Sequence, residues 1–144
     1  MSSGRYSEAE IENFAEDVLR DGFCVLAEHF SQETLRAWRA AFAPLLAEHI
    51  AREGHLRNRG AARYYVTLPF DAPFADPVIY EDPDVLAVVA RLAGDDFTMV
   101  QLATDTPLLG SEYQDVHRDT PPLFPETGTE TPPYQLAVNF PLVE

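Results

Sequence analysis

The apolar residues change their spacing near Gly94, from a helical period before it to an extended, β-type pattern after it. That ordering restricts the fold more than any other feature. Ser7 followed by Glu10 has capping-box spacing, and Ile11, Phe14, Val18 and Leu19 then recur at helical intervals up to Asp21-Gly22. A first amphipathic helix is predicted there. A short apolar strand is expected over 23–26, after which Ser31 caps a second helix whose Leu35, Trp38, Phe42, Leu45 and Leu46 form one stripe. Pro44 is expected to kink that helix or divide it. Residues 51–63 lack a period and read as a loop, 64–68 read as a strand, and Pro69 ends it. Asp82-Pro83 supplies an N-cap and a first-turn proline to a third helix, with Val85, Leu86, Val89 and Leu92 on its apolar face and Gly94 as its stop. Strands are expected over 97–103, 112–119 and 134–143. Helices followed by strands predict an α+β protein, a single domain over 1–144 with helices backing one face of a mainly antiparallel sheet.

Charge and composition remove several functional classes. The net charge is −14, which repels polyanions, because Lys and Arg neutralising phosphates carry most nonspecific nucleic-acid affinity. No nucleic-acid partner is expected. Every basic residue is an Arg, so Schiff-base chemistry and phosphate loops that need a lysine are excluded. No stretch approaches the roughly 20 consecutive apolar residues of a membrane helix, and the N-terminus lacks the layout of a signal peptide. A cytoplasmic protein without a membrane partner is the expectation. The single Cys24 sits in an apolar run, where a thiol behaves as a small buried hydrophobe.

The segment Tyr113-Gln114-Asp115-Val116-His117-Arg118-Asp119 carries the chemistry. On a strand, His117 and Asp119 project from one face and Arg118 from the other. An imidazole and a carboxylate so placed suit the facial arrangement of two His and one carboxylate used by non-haem iron(II) oxygenases. A His-x-Asp tripeptide alone also fits a half-exposed strand with a surface His and Asp.

The chain resembles the phytanoyl-CoA dioxygenase family of iron(II)/2-oxoglutarate-dependent oxygenases. The resemblance lies in Asp21-Gly22-Phe23-Cys24-Val25-Leu26, the 31–46 helix, Leu92-Ala93-Gly94-Asp95, Gln114-x-x-His117-x-Asp119 and the 136–143 strand, in that order. It implies a double-stranded β-helix (a jelly roll, cupin-like) packed by N-terminal helices, with His117 and Asp119 as ligands of Fe(II), and a hydroxylase acting on a small-molecule substrate. It also implies that the 136–143 strand lines the 2-oxoglutarate pocket. On that strand Asn139 is the candidate for facing the cofactor, or else a polar residue on the solvent side of an edge. Gln101, on the preceding expected strand, is a second candidate for 2-oxoglutarate. His29, His49 and His55 are expected to be partly exposed side chains. Arg57, Arg59 and Arg63 form either an anion-binding cluster or a solvated loop.

The family pattern is incomplete here. Its second iron-binding His and the Arg that pairs with 2-oxoglutarate follow the His-x-Asp strand, and no His or Arg follows Asp119 in this sequence. An incomplete oxygenase domain lacking its C-terminal strands is expected. A truncated noncatalytic protein serving binding or assembly is the alternative. Either leaves an apolar sheet edge that favours a homo-oligomer or a complementary C-terminal half.

Overall fold

In the computed structural model, residues 4–53, 60–117, 119–129 and 131–143 are described. The elements are α1 (Glu8–Asp21), α2 (Gln32–Glu53), β1 (Arg63–Thr67), α3 (Pro77–Tyr80), α4 (Pro83–Ala93), β2 (Ala103–Pro107) and a 3-10 turn at Pro125–Thr127. The mixture is α+β. The chain divides into two compact units: one takes residues up to His29, then Pro77–Met99 and the stretch ending at Asn139, and the other takes Phe30–Asp76, Val100–His117 and the residues from Phe140 onward.

The first unit is built on α1 and α4. Ser7 forms a full capping box with Glu10, and Gly22 closes α1 with φ +86°, a left-handed value that glycine adopts without a Cβ clash. Ile11 and Ala15 are the buried residues of α1, and Asp84 and Val88 those of α4. Asp82 caps α4 by accepting from the Val85 N–H at 2.9 Å, with Pro83 in the first turn. On the solvent side Arg91 of α4 pairs with both Glu8 and Glu12 of α1.

The second unit holds the antiparallel pair of β1 and β2, with Arg63 opposite Pro107, Tyr65 opposite Asp105 and Thr67 opposite Ala103. Tyr64 and Val66 alternate inward and join Phe42 of α2 and Phe74 in one core cluster, with Leu45, Leu46, Leu102 and Leu142 packed around it. Burying each such side chain contributes about 1.5–3 kcal/mol. Trp38, 4% exposed, packs against Phe30 and Phe140 at ring separations of 5.4 and 5.3 Å. Ser31 caps α2 through its hydroxyl, which accepts from the Thr34 N–H at 3.1 Å.

Several expectations are corrected. The residues of 23–26 form no strand, and Phe23 and Val25 are exposed. Helix α2 continues past Pro44 as one element and reaches Glu53, inside the expected loop. Among the described residues of 97–102, 112–119 and 134–143 none is in a strand, because β character needs a hydrogen-bonded neighbour and the described sheet contains only β1 and β2. The second strand instead runs from Ala103 to Pro107. No helix of the described residues is long and apolar enough to cross a membrane.

Candidate functional site

Four residues were expected to build the site, and each is exposed where the chain places it. Gln101 and His117 belong to the second unit, and Asp119 and Asn139 to the first. None of the four lies in a strand, so the alternation that would aim His117 and Asp119 from one sheet face is not set by strand geometry. Val116 and Asp119 sit in bends, and Arg118 lies outside the described residues. His117 Nδ1 is 2.6 Å from the Asp115 carbonyl oxygen. A carbonyl only accepts, so Nδ1 carries the proton and the lone pair of the neutral ring resides on Nε2. A backbone hydrogen bond of this kind sets the tautomer of a metal-ligating histidine.

The apolar residues flanking His117 face solvent. Leu109, Tyr113 and Val116 are fully exposed, and they alternate with Glu112 and Asp115, which are exposed as well. Large apolar side chains grouped in water along one stretch of chain are the kind of surface that another polypeptide covers.

Sequence reasoning missed a second constellation, in the first unit. His29 Nε2 lies 2.9 Å from Asp82 Oδ2, with the two side chains 9% and 14% exposed. Ligand atoms of His29, Asp82 and Asp84 all lie within 4.8 Å of one another, a spacing that suits a metal ion. His29 is half-buried, in line with the partly exposed side chain expected of it, and its hydrogen bond to Asp82 is what sequence reasoning did not foresee. The carboxylates, however, have protein partners. Asp82 Oδ1 caps Val85, while Asp84 accepts from the Arg5 N–H at 2.8 Å and the Tyr6 N–H at 3.2 Å. These donors occupy lone pairs that a cation needs, and the N-terminal end of α4 carries partial positive charge. The arrangement therefore works as a clasp. It holds residues 5 and 6 and the turn before His29 against the start of α4. The Tyr6 ring stacks on His29 at 5.9 Å and meets Phe14 edge-on at 5.0 Å, and Arg5 Nη1 donates to the Glu28 carbonyl at 2.7 Å. A Cβ on Gly4 would collide with the Asp84 carboxylate, which accounts for the absence of a side chain there.

The other sequence candidates resolve differently. His49 is 7% exposed, not partly exposed as expected, and meets Tyr64 edge-on at 6.2 Å. Its position four residues after Leu45 and three after Leu46 continues the α2 stripe and signals burial in advance. Arg63 belongs to β1 and holds Asp105 of β2 through two hydrogen bonds of 2.8 and 2.6 Å, so it is a cross-strand brace rather than part of a loop. The Asp105 carboxylate raises the Arg63 pKa further. His55, Arg57 and Arg59 lie outside the described residues. Burial, and then the nearby Asp17 charge, push the Cys24 thiol up from its ordinary value, as expected of a structural thiol.

No family model matches the chain, and neither a curated protein nor a solved structure matches it.

Proposed function

We propose that the chain contributes His117 and Asp119 to the metal site of an iron(II)/2-oxoglutarate-dependent hydroxylase related to the phytanoyl-CoA dioxygenases, with a double-stranded β-helix as its fold. The observation that carries this reading is Gln114-x-x-His117-x-Asp119 in its sequence setting, supported by the Nδ1 hydrogen bond of His117 to the Asp115 carbonyl. The donor chemistry fits, because neutral imidazole Nε2 and a carboxylate are ligands that non-haem iron(II) accepts. Bound iron and 2-oxoglutarate would supply the oxidising chemistry for attack on a small-molecule substrate. His117 and Asp119 would hold the metal, and Asn139 and Gln101 are the candidates for contacting 2-oxoglutarate.

No His or Arg follows Asp119 among the given residues, so in this reading a third protein ligand and a cation for the far carboxylate of 2-oxoglutarate are supplied from outside them, by further chain or by a partner. The exposed Leu109, Tyr113 and Val116 support association with such a partner. They equally support the second reading, a noncatalytic binding or assembly protein. The carboxylate at Asp119 favours hydroxylation over halogenation, because halide chemistry at such iron requires that ligand position to be vacated.

Anaerobic titration with iron(II), or with cobalt(II) as a spectroscopic substitute, separates the readings. The chain alone is expected to bind weakly and to make no succinate from 2-oxoglutarate in air. His117→Ala and Asp119→Ala should each weaken metal binding by at least about 10-fold, while His29→Gln should leave it unchanged. Equal affinity in His117→Ala and the parent chain, or loss of binding in His29→Gln, overturns the assignment.

A further inference from the structure

We draw no further inference here: the strongest candidate, the exposed apolar stretch of Leu109, Tyr113 and Val116 that precedes His117, carries nothing beyond the association already described, because nothing in the structure shows what covers it.

Discussion

The backbone N–H of Arg5 donates to Asp84 Oδ2 at 2.8 Å across 79 positions of sequence. One buried carboxylate thus ties the N-terminal residues to the first turn of α4, and it also takes the Tyr6 N–H. Replacing Asp84 by Ala strands two part-buried donors, each worth up to about 1–3 kcal/mol when left unsatisfied. Asp84→Ala should lower the urea midpoint and expose residues near Tyr6 to proteases, with Asp84→Asn intermediate. An unchanged midpoint in Asp84→Ala would show that the clasp adds nothing to stability.

Trp38 is enclosed by Phe30 and Phe140. Trp38→Ala should cost about 3–5 kcal/mol, the usual range for removing a large aromatic from a packed position. Tryptophan fluorescence offers no signal in the variant, because Trp38 is the chain's single tryptophan. Circular dichroism during urea unfolding is the appropriate readout.

The Ser7 hydroxyl and the Ser7 backbone N–H hold the Glu10 carboxyl below its ordinary value of 4.5. A carboxyl whose folded-state pKa is depressed contributes stability above its unfolded value and loses it as pH falls through the folded one. Helicity of α1 should therefore decline on acidification below pH 4.5 more steeply in the parent chain than in Glu10→Gln. Parallel acid profiles for the two proteins would contradict the capping-box contribution.

Burial and the Asp17 carboxylate raise the Cys24 thiol above its ordinary 9.0, so the reactive thiolate is scarcer at any given pH. Iodoacetamide should alkylate Cys24 more slowly than a small free thiol in mildly alkaline buffer, and Asp17→Asn should speed the reaction. Labelling faster than the free thiol would contradict this environment.

The elements written in local chemistry were legible in the sequence. Ser7 with Glu10 and Asp82 with Pro83 mark the starts of α1 and α4, because capping involves residues three apart and needs no distant partner. The strand at Ala103–Pro107 was not legible. Its Thr-Asp-Thr interior is polar on inspection, and its identity depends on pairing with β1 forty residues earlier in the chain. The apolar stretch of 134–143 errs in the opposite direction: it has β propensity, yet among the described residues it has no strand partner. Propensity for a strand describes a fit to a pleated neighbour and cannot supply that neighbour. For the candidate site, the residue types around His117 were readable but their spatial relation was not. The clasp at His29, Asp82 and Asp84 joins positions more than fifty residues apart, a separation that periodicity does not encode.

The same long-range tie sets a timetable for synthesis. Helix α1 can form as soon as its own residues are available, but Asp84 follows Arg5 by 79 positions. At translation rates of about 5–20 residues per second, that interval lasts roughly 4–16 s. Throughout it, Ile11 and Ala15 lack the α4 surface that buries them. A nascent chain stalled before Asp84 therefore displays an amphipathic helix with its apolar side open to water.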